Sequence, residues 1–151
     1  MKCFQISSGL NALEYNVRVP ASKSNLVTKQ VQIVEGAPAF TPARLRKLLV
    51  AVNGEIPSIA GIYGEFVHFL SLSRSLTEDE SVVIDALLTY GPNSELASRV
   101  GEHVCTVLPR PGTISPWSSK ATDIFHGCGL TSVLRVERGV RWYVDGTFDR
   151  S

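Results

Sequence analysis

The sequence predicts an α+β domain in which helices pack on a mostly antiparallel sheet. Apolar residues at alternate positions indicate strands, apolar residues three and four positions apart indicate helices, and the two kinds of segment alternate along the chain. The predicted order is β-α-β, a linking helix, then β-α-β-β. The two halves share a plan, which indicates an internal duplication. With 151 residues, 44% of them apolar, the chain can form a domain with a hydrophobic core.

The first predicted half runs from a strand to a helix to a second strand. Alternation at 29–36 indicates a strand in which Val31, Ile33 and Glu35 share one face. Thr41 has the position of an N-cap, Pro42 that of the first helical residue, and Gly54 ends the helix. Its apolar stripe consists of Leu45, Leu48, Leu49 and Val52. Aromatic and β-branched residues at 61–73 indicate the next strand, with a face made of Tyr63, Glu65, Val67 and Phe69.

The linking helix and the second half follow from the same periodicities. Thr77 and Glu80 have the spacing of a capping box, and Gly91-Pro92 ends the linking helix. We expect its buried stripe to consist of Val83, Ala86, Leu87 and Tyr90. A strand at 103–109 and a third helix from about Ser118 follow, with a stripe of Ala121, Ile124, Phe125 and Cys128. The last segment, 131–146, predicts two strands that turn tightly at Arg138-Gly139.

The bulk composition excludes several function classes. A net charge of +1 gives no field for non-specific binding of nucleic acid or anionic lipid. No apolar run approaches the roughly 20 residues that cross a bilayer. Three widely spaced cysteines, Cys3, Cys105 and Cys128, indicate reduced thiols inside a cell. Residues 1–29 lack the apolar core of a secretory signal, so we interpret them as an N-terminal extension and leave a transit peptide open as the alternative.

The sequence predicts no catalytic residue and no metal site. Gly127-Cys128-Gly129 resembles a nucleophile turn only superficially, because Cys128 lies on the predicted apolar stripe and no histidine follows His126. His126 and Cys128 cannot ligate one zinc ion together, since residues two apart on a helix point in nearly opposite directions. His68 is interpreted as a hydrogen-bonded structural histidine. The cations Arg44, Arg46 and Lys47 are interpreted as a solvated helix face.

The stretch 109–124 is the candidate functional segment. Its prolines hold the backbone extended, its hydroxyls offer hydrogen bonds, and Trp117 offers a large rigid contact surface. One interpretation is a capped turn with Trp117 folded onto the core. The other is a pre-organised surface that docks a partner or an anion. For the second, the predicted contact residues are Thr113, Ser115, Trp117, Ser118, Ser119, Lys120 and Asp123.

The same stretch resembles a known family. The run from Pro109 to Ile124 is similar to the signature of the N-terminal domain of large-type phosphoribosylformylglycinamidine synthase. The resemblance continues through Cys128-Gly129-Leu130 and Glu137-Arg138-Gly139, and upstream through residues 63–69 and 90–92. It covers roughly residues 30 to 145. It therefore predicts a PurS-like domain at 30–146, made of duplicated β-α-β halves, followed by the start of a linker or tail at 147–151.

The resemblance implies a role in purine synthesis. The family enzyme is a long chain that uses ATP and glutamine to convert formylglycinamide ribonucleotide to formylglycinamidine ribonucleotide. This domain would couple ammonia release to its use, with the synthetase and glutaminase domains of the same chain as partners. ATP and magnesium are implied for the full-length enzyme and no cofactor for these residues, so the 151-residue chain alone is expected to be inactive. The location implied is cytoplasmic, or organellar if residues 1–29 are a transit peptide. A free-standing small binding or regulatory protein with the same fold is the alternative function.

Overall fold

The computed structural model describes residues 30–91, 101–110 and 112–147. Within them the elements follow in the order β1 (Gln30–Pro38), α1 (Pro42–Asn53), β2 (Ile59–Leu72), α2 (Glu78–Leu88), β3 (Glu102–Val107), α3 (Pro116–Gly127) and β4 (Val133–Gly146). The strands form one antiparallel sheet in the order β1-β2-β4-β3, on which the helices pack. The predicted α+β class is therefore confirmed. None of the described helices is long and apolar enough to cross a membrane.

The described chain consists of two halves with the same plan. β1-α1-β2 and β3-α3-β4 each join a short strand to a strand of 14 residues through a helix of 12 residues. Both helices begin alike, with a hydroxyl residue as N-cap and a proline after it: Thr41 before Pro42, and Ser115 before Pro116. The long strands β2 and β4 pair at the centre of the sheet, so the halves meet along their longest ladder.

The N-caps of α1 and α2 were predicted correctly, whereas the predicted stripes of α2 and α3 were correct only in part. Thr41 and the Thr77–Glu80 capping box are in place, and Leu45 is the buried residue of α1. On α2 the buried residues are Ile84 and Leu88, one position after the predicted Val83 and Leu87. Apolar residues occupy consecutive positions in this helix, so two neighbouring stripes are possible. Periodicity alone does not decide which of them faces the sheet.

The stripe of α3 contains a second correction. Phe125 is buried as predicted, but Ile124 is 50% exposed and Cys128 is exposed. Cys128 is the C-cap of α3, where the chain leaves the helix before Gly129 at a φ of 84°. The Cys128 side chain therefore lies at the exposed end of the helix, and the predicted buried thiol is wrong.

The segment 133–146 is one strand and not a hairpin. Arg138 and Gly139 lie in the middle of the β2–β4 ladder, opposite His68 and Val67. Gly139 is needed there for close packing, because a Cβ atom at this position would lie 2.9 Å from the Val107 carbonyl oxygen, and 2.5 Å from Leu108 Cδ2. Glycine is common in turns, but here it allows the end of β3 and the residue that follows it to lie close against β4.

The sheet has two faces, and one of them carries the main core. Alternation along β2 places His68, Leu70 and Leu72 on the face that packs with α2 and α3, opposite Arg138 and Val136 of β4. Buried residues of this core come from the sheet, both helices and the turn after α3: Leu70, Leu72, Ile84, Leu88, Phe125, Leu130, Val133 and Val136. A smaller cluster of Leu45, Tyr63 and Tyr143 anchors α1.

Candidate functional site

The candidate segment, residues 109–124, comprises a loop and the first two turns of α3; Pro111 within it lies outside the described residues. The helix begins at Pro116, two residues before the predicted start. Ser115 is its N-cap, and its hydroxyl accepts a hydrogen bond from the Ser118 N–H at 3.0 Å. The Ser118 N–H, one of the donors that an anion at the start of α3 would use, is thus bonded within the domain.

Some of the polar side chains in the candidate segment form hydrogen bonds with the β4 backbone and do not face solvent. β3 pairs with β4 at residues 140–144, so among the described residues no strand lies beside the β4 edge at Val136. Two hydroxyls of α3, one turn apart, take that place. Ser118 Oγ donates to the Val136 carbonyl at 2.6 Å, and the Val136 N–H donates to Thr122 Oγ1 at 3.1 Å. These bonds satisfy backbone groups that would otherwise be buried without partners.

Arg135 and Glu137 of β4 fix the loop that precedes α3. The guanidinium of Arg135 donates to the Thr113 carbonyl at 3.1 Å and to a Glu137 carboxylate oxygen at 2.8 Å. The Ser115 hydroxyl donates to the other Glu137 oxygen at 2.7 Å. Burial raises the pKa of Glu137, but these hydrogen bonds and the one from the Arg138 N–H outweigh it, so the pKa lies below its usual value. Glu137 is thus held as a carboxylate, and the loop is tied to the sheet.

The outer side of the segment is exposed. Thr113, Ser119, Lys120 and Asp123 are all exposed, as the docking interpretation requires. Ser118 differs from them because it is fully buried, so its side chain holds α3 on β4 and does not reach the surface. Ile114, which the sequence analysis did not select, is 63% exposed on the loop. The sequence signal that could have marked Ile114 is a large apolar residue between polar residues in the loop part of the family signature.

Trp117 is half-buried and combines features of both interpretations. Its ring lies 5.8 Å from the His68 ring and 6.4 Å from the Tyr90 ring, on the main core. The Arg138 guanidinium lies 4.7 Å from the Trp117 ring centre and 4.3 Å from that of Phe66, so two aromatic rings enclose this cation. Arg138 was not predicted as a site residue, since the Glu-Arg-Gly triplet that contains it was assigned to a turn.

The interior beside this cation is kept neutral. His68 is fully buried, and its Nε2 is hydrogen-bonded to the Tyr90 hydroxyl at 2.6 Å, as expected for a structural histidine. Burial, together with the positive charge of Arg138, lowers the pKa of His68 to about 4. Tyr90 also accepts a hydrogen bond from Arg138 at 3.3 Å. At neutral pH, Arg138 is therefore the charged member of this cluster.

An open groove of about 550 Å³ separates α2 from α3. Apolar side chains form most of it, among them Leu87, Trp117, Ile124 and Phe125. Of the described residues that line the groove, Lys120 is the one that carries a charge. The groove thus continues the exposed side of the candidate segment onto α2.

Two His-x-Cys pairs, His103-x-Cys105 and His126-x-Cys128, have their histidines on β3 and α3. His126 hydrogen-bonds to the Val133 carbonyl at 2.7 Å, which ties the end of α3 to the start of β4. The side chain of His103, a member of the other His-x-Cys pair, lies outside the described residues. Residues 30–91, 101–110 and 112–147 contain no group of three or more His, Cys, Asp or Glu side chains that could hold a metal ion. The arrangement provides hydrogen bonds and contact area.

One comparison with known proteins bears on this site. A family model described as formylglycinamide ribonucleotide amidotransferase N-terminal matches residues 65–151, more than half of the chain. The matched region includes most of β2, the candidate segment and β4. It is the N-terminal domain of phosphoribosylformylglycinamidine synthase, which the signature in residues 109–124 indicated. The chain belongs to the family of formylglycinamide ribonucleotide amidotransferase N-terminal domains.

Proposed function

We propose that this chain serves as the N-terminal assembly domain of phosphoribosylformylglycinamidine synthase, and that it helps to couple ammonia release to its use. The observation that carries the proposal is the family match over residues 65–151. In this role the domain binds the synthetase and glutaminase domains, and the chain by itself catalyses neither glutamine hydrolysis nor ATP hydrolysis.

The geometry of the candidate segment supports docking. Its inner side is bonded to β4 through Ser118 and Thr122, and its loop is tied to Arg135, so the backbone is ordered before any partner binds. A surface ordered in advance loses little conformational entropy on association. The contact residues of the proposal are the exposed Thr113, Ser119, Lys120 and Asp123, with Ser115 beneath them and Trp117 at the edge of the groove. Ser118 contributes indirectly, by holding α3.

Substitution of an exposed loop residue in an intact synthase that carries this domain tests the proposal. Ile114→Asp places a charge at a 63% exposed position and leaves the core untouched. We expect the glutamine-dependent rate to fall about tenfold, as for a contact worth about 1.4 kcal/mol, and to fall more than the ammonia-dependent rate. Val50→Asp is the matched control, because Val50 is a β-branched residue of α1 that is 75% exposed. Equal effects of Ile114→Asp on both rates, or no effect on either, would contradict the proposal.

A further inference from the structure

Arg138 is an unusual cation for the interior of a domain. It is half-buried, and the described chain places no carboxylate in ion-pair contact with it. One guanidinium nitrogen donates to the Tyr90 hydroxyl, and the remaining donors have no hydrogen-bond partner among the described residues. Aromatic rings on both sides make a partly desolvated cation tolerable, but they do not neutralise its charge.

The charge of Arg138 lies beside the groove between α2 and α3. Trp117 and Tyr90 line the groove and also contact Arg138. Lys120, one turn after Trp117 on α3, lines the groove as well and forms no ion pair within the described chain. No carboxylate is among the described residues that line the groove. An apolar floor is therefore combined with two cations that lack an internal counter-charge.

We propose that this groove binds an acidic, partly apolar segment of a neighbouring synthase domain, whose carboxylates pair with Arg138 and Lys120. The inference rests on the proposed assembly function and specifies the partner surface. A planar guanidinium matches a carboxylate through two parallel hydrogen bonds, and such a pair is stronger where water is already excluded. Ile124, 50% exposed on the groove wall, provides apolar contact area for the same segment. The charge complementarity selects an acidic segment over a neutral or basic one.

Site-specific crosslinking in an intact synthase that carries this domain tests the inference. A photoreactive p-benzoylphenylalanine replaces Ile124 in the groove or, as the control, the exposed Val50 on α1. We expect position 124 to crosslink to a segment of the synthetase or glutaminase domain that contains Asp or Glu within one helical turn of the crosslinked residue. Position 50 should not crosslink to that segment.

Charge substitutions then test the role of the cations. Lys120→Glu should lower the crosslinking yield at position 124 about tenfold, because it places like charges together, whereas Lys120→Arg should preserve the yield. Arg138→Lys, which keeps the charge but loses the planar fork, should also lower the yield. Replacing the Asp or Glu of the crosslinked segment by lysine should restore the crosslinking yield of the Lys120→Glu variant.

Three outcomes would overturn the inference: a crosslink to a segment without Asp or Glu, a crosslink to a second copy of this domain, or a yield unchanged by Lys120→Glu. If any of these occurs while Ile114→Asp still reduces the glutamine-dependent rate selectively, the assembly function stands and only the groove assignment is lost. If Ile114→Asp also has no selective effect, the assembly function itself is contradicted.

Discussion

Ser118 and Ser119 are neighbours in the first turns of α3, and the structure predicts opposite consequences for their removal. Ser118 is fully buried, its hydroxyl donates to the Val136 carbonyl at 2.6 Å, and it accepts a hydrogen bond from Arg135 Nε at 3.2 Å. Ser119 is exposed. Ser118→Ala leaves buried polar groups without these partners, a loss that costs about 1–3 kcal/mol. Ser119→Ala should stay within about 0.5 kcal/mol of the unsubstituted chain.

The comparison isolates the hydrogen bonds from helix propensity. Alanine is the better helix former at both positions, so its intrinsic gain largely cancels between the two variants. We therefore expect Ser118→Ala to be about 2 kcal/mol less stable than Ser119→Ala, which corresponds to roughly 6 °C in Tm for a chain of this size. Guanidinium chloride unfolding followed by circular dichroism, with thermal unfolding as a second measurement, gives the difference. If the two variants unfold within about 0.5 kcal/mol of each other, α3 does not complete the edge of β4 as described.

Three further predictions concern packing, thiol exposure and pH. Gly139→Ala should lower the free energy of unfolding by about 2 kcal/mol, because its Cβ would lie 2.9 Å from a backbone oxygen. Gly127→Ala is the control and should not destabilise, because nothing lies within 4 Å of its Cβ. Equal stabilities of the two variants in chemical denaturation would argue against the continuous strand. In a Cys3→Ser background, the exposed Cys128 should react promptly with a thiol reagent in the native state and the half-buried Cys105 more slowly. Adding Cys128→Ser should then remove the fast fraction, and a fast fraction that persists would contradict the C-cap placement. The lowered pKa of His68 means that the unfolded chain binds a proton between pH 6.5 and about 4 that the folded chain does not, so stability should fall as pH falls, by about 1.5 kcal/mol between pH 6.5 and 5. Urea unfolding at several pH values should show a smaller slope for His68→Gln, and parallel slopes would refute this origin.

The sequence by itself determined the features that depend on neighbouring residues. Thr41 with Pro42, and Thr77 with Glu80, identified helix starts because capping involves residues only three positions apart. Alternating and helical periodicities gave the number and order of most elements, and hence the α+β class. The run at 109–124 indicated the family, which the match over 65–151 then showed.

The tertiary structure decided what depends on distant residues. Whether Gly139 forms a turn or continues a strand depends on Leu108 and on the ladder with β2, which no local pattern contains. Ser118 and Ser119 are identical in type and adjacent in sequence, yet one completes the edge of β4 and the other faces outward, because β3 ends before it reaches Val136. Arg138 gains its aromatic enclosure only when β4 meets β2 and α3. Periodicity fixes the kind of element, whereas pairing partners and burial are set by contacts between segments far apart in the chain.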